Sequence, residues 1–346
     1  MIPHNKPTLG EEEREAVREV IDSGWVASGK QVEAFERAFS KYHGLTSGGA
    51  VALSSGTAAL YLALYGLRVA KGGEIIVPTY VCTAVLNAIN MIGAIPVLVD
   101  IDPSDLNLSL EHTRKKLTKK TSAIVVTHTF GMPADVRAFL LLGVPIIEDC
   151  AQALGARIAG RPVGTSGVVS IFSFYASKMM TTGYGGMLMS ADSVLIERVQ
   201  DYRAFDGRTD YKPRFNFMLS DMQAAMGLVQ LKRLPEFLAR RETVAKHYAK
   251  NVALWPGVTG GREPNFYRML VRAKNAAGLK KQLEANGVQS ILPIEPFELL
   301  HRYIGQGAAA FPVAEDAATH FVSLPAYPSL TDDEVETIVS AVEASL

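Results

Sequence analysis

The chain has 346 residues, more than one compact core usually holds, so a large domain with a smaller companion is expected. Its 35 Lys and Arg balance 35 Asp and Glu and no basic run stands out, which argues against a phosphate-neutralising nucleic-acid binder. The only cysteines, Cys82 and Cys150, form no C-x-x-C, so neither a disulfide framework nor a cysteine-rich zinc site is indicated. The start, "MIPHNKPTLGEEEREAV", is polar and acidic, unlike a signal peptide, and no apolar run reaches membrane-spanning length, so a cytoplasmic protein is expected.

In chain order, "TLGEEEREAVREVIDSG" reads as an amphipathic helix capped by Thr8, with early glutamates suiting the dipole and Gly24 stopping it. "KQVEAFERAFSKYHG" has the same form. Strand and helix then alternate: "AVAL" before "SSGTAALYLALYGL", and "EIIVP" before "YVCTAVLNAINMIG". The strands "IPVLVDID", "SAIVVTH", "VPIIEDCA", "VVSIFSF" and "GMLMS" follow. Short, nearly continuous β-branched runs suit strands buried on both faces, and helices between them favour parallel βαβ units. The fold class expected is therefore α/β. A large domain with a mostly parallel sheet spans residues 1–232, and a smaller C-terminal α+β domain spans 233–346. Near Pro235 the character changes to a long amphipathic helix, then short apolar runs ("FYRMLV", "GVQSILPI", "FVSLP") between helices.

Ligands of parallel sheets bind beyond the carboxyl ends of the strands. The first strand delivers Ser54, Ser55, Gly56 and Thr57 to the start of a helix, where free amides suit a phosphate, although an ordinary Ser/Thr cap is the plainer reading of this motif alone. "VPIIEDCA" ends in Glu148 and Asp149, and a carboxylate closing an apolar strand needs a cation or strong donor. "VVSIFSF" carries Ser173 and leads to Lys178, followed by "MMTTGYGG", whose glycines suit tight turns or close backbone approach. Phosphate cradle, buried carboxylate and lysine on successive strands are the groups pyridoxal phosphate needs for its phosphate, ring nitrogen and aldehyde. His128 ends a strand facing the same edge, suited to a structural hydrogen bond or a substrate contact. Arg203 and Arg208 read as surface residues that an anionic substrate could also use. Cys150 reads as a packed small hydrophobe, and no metal-ligand spacing is present, so no metal is expected.

These segments, with "GEEEREAVREVIDSGWVASGKQVEAFERAF", "FNFMLSDMQAAMGLVQLKRL" and "FPVAEDAATHFVSLPAYPSLTDDEV", resemble the DegT/DnrJ/EryC1/StrS family of pyridoxal-phosphate sugar aminotransferases over nearly the whole chain. The resemblance implies the aspartate-aminotransferase-like fold, type I of the pyridoxal-phosphate enzymes. It implies that Lys178 bonds the cofactor aldehyde, that Asp149 pairs with the pyridine nitrogen, and that Gln152 lies beside the ring. Gly56, Thr57 and Ser173 then match phosphate-binding positions, and Asn216 matches an asparagine reaching the phosphate from a neighbouring subunit, implying a homodimer with shared sites. The position that usually stacks an aromatic ring on the cofactor is Cys82, so either Cys82 covers the ring or Tyr80 swings in. Tyr327 stands where histidine is common, and "VRAFLLLGVPIIED" is shorter than usual. The implied substrates are a keto sugar, nucleotide-linked, and an amino-acid donor, L-glutamate by family habit. Relatives that replace the lysine by histidine catalyse dehydration, so Lys178 favours transamination. Sugar dehydration, an amino-cyclitol substrate and a cofactor-binding regulator are the alternatives.

Overall fold

The computed structural model describes residues 1–255 and 260–345. The seven runs expected as strands of the large domain form one sheet, in the order Gly49–Leu53, Gly186–Ser190, Val169–Ser173, Ile146–Asp149, Thr121–Thr127, Glu74–Pro78, Ile95–Val99. The last five run parallel, whereas Gly186–Ser190 is antiparallel to both of its neighbours. The reason lies in its connection: between Ser173 and Gly186 the chain makes turns and no helix, so it folds straight back, while a parallel return needs a longer crossover.

Alternation along the strands divides the core in two. Val51, Leu53 and Leu188 face one side, packed with the helix Gly56–Gly66, and Ala50, Ala52, Met187 and Met189 face the other, packed with Phe35, Phe39, Phe172 and Phe174. The helix Gly56–Gly66 is buried on nearly every face from Ala58 to Leu64, which explains its uniformly apolar sequence. The first helix, Glu11–Asp22, is capped by Gly10 and not by Thr8: the Gly10 N–H donates to the Glu13 carboxylate at 2.7 Å, and Thr8 Oγ1 is buried without a partner. Glutamate three residues into a helix can reach back to the amide before it, which Thr8 stands too early to do.

One helix, Asp221–Asn251, passes through Pro235 and links the sheet to a second core of Tyr248, Val271, Leu279, Leu283, Ile338 and Val342. A three-stranded antiparallel sheet, Leu254–Trp255, Met269–Arg272 and Phe321–Leu324, belongs to that second core. The N-terminus joins it, since Ile2 bridges Val288 and His4 Nε2 lies 3.0 Å from Ser323 Oγ. Among the described residues no helix is long and apolar enough to cross a membrane.

Asp221 opens the long helix and also caps another. It is 3% exposed, and its carboxylate accepts from the amides of Gly29, Val32 and Gln31 at 2.7, 3.0 and 3.2 Å, at the start of the helix Lys30–Tyr42. Asp221→Ala leaves these amides without their acceptor and is expected to cost about 2–3 kcal/mol. Urea unfolding checks this: the midpoint falls while the slope is unchanged.

Candidate active site

The carboxyl ends of Ile146–Asp149 and Val169–Ser173 open on a small cavity lined by Tyr80, Val81, Cys82, Thr127, His128, Thr129, Phe130, Asp149, Ala151, Gln152, Lys178 and Ile294. Of the residues marked out by sequence, Lys178, Asp149, Gln152, Cys82, Tyr80 and His128 meet here. Asp149 is 8% exposed and accepts from the Ala151 N–H at 2.9 Å. Burial pushes its carboxyl above the usual range, against the pull of that amide and of Lys178 and His128. A carboxylate in this state gains from a cationic partner. Cys82 is exposed and lines the cavity, and the protein packed around it raises its thiol, leaving it a neutral, polarisable surface. Tyr80 is 1% exposed, its ring edge-on to Phe130 at 5.7 Å, and its hydroxyl is buried with no partner.

Beside this cavity lies a cradle of small residues. Ser55 caps the helix Gly56–Gly66, accepting from the Ala58 N–H at 3.0 Å, so the amides of Gly56 and Thr57 have no acceptor within the helix. Two glycines let the backbones close up. A Cβ on Gly56 would meet Ser173 Cβ at 2.9 Å, and one on Gly186 would meet Ser55 O at 2.3 Å. Helix-end amides, the Ser173 hydroxyl, a buried carboxylate and a primary amine are the donor set that pyridoxal phosphate requires, so the residues present fit that cofactor.

The walls are held rigidly. Phe130 has φ +56°, uncommon for a bulky side chain, and is fixed from two directions: its N–H donates to Gln152 Oε1 at 2.7 Å and its carbonyl accepts from Arg268 N–H at 3.3 Å. His128 spends both ring nitrogens structurally. Nδ1 accepts from the Ala134 N–H at 2.9 Å and Nε2 donates to Glu148 at 3.1 Å. Glu148 also takes the amides of Gly164, Ser166 and Gly167 at 2.8, 2.7 and 2.5 Å. Burial alone would raise the Glu148 carboxyl, but His128 and these amides hold it below its ordinary range. His128, Glu148 and Cys150 bring possible metal ligands within 4.8 Å, yet the nitrogens and oxygens are already bonded.

Three marked residues, Asn216, Arg203 and Arg208, lie outside both the cavity lining and the cradle. Asn216 is exposed, its Oδ1 accepting from the Met218 N–H at 3.2 Å. Arg203 is committed to Glu36 at 2.6 Å and to the Ala52 carbonyl at 2.7 Å, and Arg208 pairs with Asp201 at 2.5 Å. Sequence reasoning missed Tyr267, whose buried ring lies 5.3 Å from Lys178 Nζ, centroid to nitrogen. No local motif around it offered a signal.

Residues 7–343 match the model of the DegT/DnrJ/EryC1/StrS aminotransferase family. GDP-perosamine synthase of Vibrio cholerae is 32% identical over 364 residues, covering 99% of this chain and 98% of that protein. Among solved structures, the aminotransferase TlmJ from Streptoalloteichus hindustanus superposes with a TM-score of 0.92 at 34% identity, covering 100% of this chain and 98% of that one. Spr1654 from Streptococcus pneumoniae, in a PLP-form, superposes at 0.91 with 26% identity over 100% and 99% of the two chains. The chain belongs to the DegT/DnrJ/EryC1/StrS aminotransferase family and is a pyridoxal-phosphate-dependent aminotransferase.

Proposed function

We propose that this chain moves an amino group from an amino acid, L-glutamate by family habit, to the keto carbon of a nucleotide-linked sugar in amino-sugar biosynthesis. The observation that carries the reading is the Lys178 amine and the buried Asp149 carboxylate lining one cavity, in a chain whose relatives include a GDP-perosamine synthase. When bound, pyridoxal phosphate supplies an electron sink and stores the amino group between the two substrates.

The chain's own residues divide the remaining work. Lys178 bonds the cofactor aldehyde and, once displaced, carries the proton to and from the reacting carbon as general acid and base. Asp149 holds the proton on the ring nitrogen, which relieves its own desolvated charge. The Gly56 and Thr57 amides and the Ser173 hydroxyl hold the phosphate, while Gln152 and Cys82 border the ring. Asn216 serves a partner's site in a homodimer; support comes from its exposure and from exposed aromatic residues nearby in the chain, Tyr211 at 96% and Phe215 at 50%. The working units are residues 1–232 and 233–346, and the enzyme acts in the cytoplasm.

The test is a half-reaction. Protein loaded with pyridoxamine phosphate is offered a panel of nucleotide-linked and free keto sugars. The reading expects the aldehyde form of the cofactor to return with a nucleotide-linked keto sugar, with an amino sugar detected by mass spectrometry. Return of that form with free cyclitol ketones alone would overturn it.

A further inference from the structure

From sequence, "FYRMLV" reads only as a short apolar run, yet the segment 265–268 is sewn to the loops around Asp149. The Asn265 side-chain amide donates to the carbonyls of Gln152 and Leu154, both at 3.0 Å, and its Oδ1 accepts from the Tyr267 N–H at 3.0 Å. The Asn265 and Arg268 amides donate to Gly131 O and Phe130 O, each at 3.3 Å. These bonds fix Tyr267, which is 4% exposed, beneath the catalytic lysine. Lys178 Nζ lies 5.3 Å from the centre of its ring, and the Arg268 guanidinium carbon lies 4.8 Å from it.

We propose that Tyr267 is the positioning residue of Lys178, its ring face receiving the ammonium and keeping Nζ in the cavity that holds Asp149. The proposal rests on the reading of Lys178 as the acting amine. A free lysine side chain has many rotamers, and a desolvated aromatic face offers its cation one favoured place among them. The phenol is tied to the same charge. Burial raises its pKa, but Lys178, Arg268 and Arg241, with the Ser177 hydroxyl, outweigh burial and bring it down to about 8. His4 lies 3.1 Å from Arg268 Nη1 and is held neutral, with a pKa of about 3, by burial and then by Arg268 and Arg241. Asp149 is the acid that shares the cavity with Lys178. Arg268 belongs to the Tyr267 segment and Arg241 Nη1 donates to the Phe266 carbonyl at 3.1 Å, so the charge coupled to Tyr267 that can be removed without disturbing that segment is that of Lys178.

Cofactor-free protein provides the first test, by ultraviolet titration of tyrosinate. The chain has 12 tyrosines, so the reading is the difference between wild type and Tyr267→Phe. One step near pH 8 is expected, and the same difference taken in a Lys178→Met background moves up by about one unit or more. The second readout is the rate at which cofactor-free protein acquires a borohydride-stable link from added pyridoxal phosphate. Tyr267→Phe keeps the ring and loads within about threefold of wild type, while Tyr267→Leu loads about tenfold slower or worse. A step indifferent to Lys178→Met, or a leucine variant that loads at the wild-type rate, overturns the proposal. If Tyr267→Leu fails to fold, the titration of the phenylalanine variant still decides. A link that persists in Lys178→Ala would instead sink the reading of Lys178, and the titration would report on Tyr267 independently.

Discussion

Lys178→Ala is expected to purify without a borohydride-reducible link to the cofactor and to lose more than about a thousandfold in turnover, since one side chain supplies both the covalent attachment and the proton carrier. Among the described residues lining the cavity, Lys178 is the one amine. In the proposed reading the phosphate is held apart from it, at Gly56, Thr57 and Ser173, so cofactor binding itself is expected to survive in weakened form. Electrospray mass of the reduced protein, beside a coupled assay for the keto acid formed from the donor, checks both halves. A variant that keeps the link shows that another nucleophile does this work.

Asp149→Asn is expected to keep the cofactor and lose about a hundredfold or more in turnover, corresponding to roughly 3 kcal/mol of barrier. A neutral amide does not hold a proton on the ring nitrogen, and the electron sink weakens where negative charge develops. Stability should respond in the opposite direction. Burial raises the folded-state pKa of Asp149, so the native protein holds this proton more tightly than the unfolded chain does. The carboxylate therefore lowers stability as pH climbs from its unfolded value through the raised folded one, and the penalty is fully present above that window. Asparagine carries no such charge, and its oxygen still accepts from Ala151. The cofactor-free variant is expected to melt no lower than wild type at neutral pH. A large loss of stability with near-normal turnover would mark Asp149 as a structural carboxylate.

Legibility in the sequence followed the range of the interactions. Each of the seven strands announced itself as an apolar run, and the residues at or just past a strand end, Asp149, Ser173 and Gly56, were visible because local composition changes there. The antiparallel Gly186–Ser190 strand was not separable from its parallel neighbours, since a strand buried on both faces reads alike in either direction. Only the helix-free connection before it betrays the reversal. Cys82 against Tyr80 was ambiguous because two residues of spacing puts both on one side of an extended segment. In the fold Tyr80 packs edge-on to Phe130, itself held at φ +56°, and Cys82 is left as the open surface. Asn265 and Tyr267 stayed hidden because their work is long-range: Tyr267 meets a lysine on the other side of the 31-residue helix Asp221–Asn251 in sequence, and nothing local encodes that meeting.

The central claim is that Lys178 is the residue through which this chain holds its cofactor and moves the amino group. Its most direct test is to reduce the loaded wild-type protein with borohydride, digest it, and sequence the modified peptide by tandem mass spectrometry. The account predicts one pyridoxyl group per chain, on Lys178. A pyridoxyl group on any other lysine, or loaded and active protein that acquires none, would contradict it.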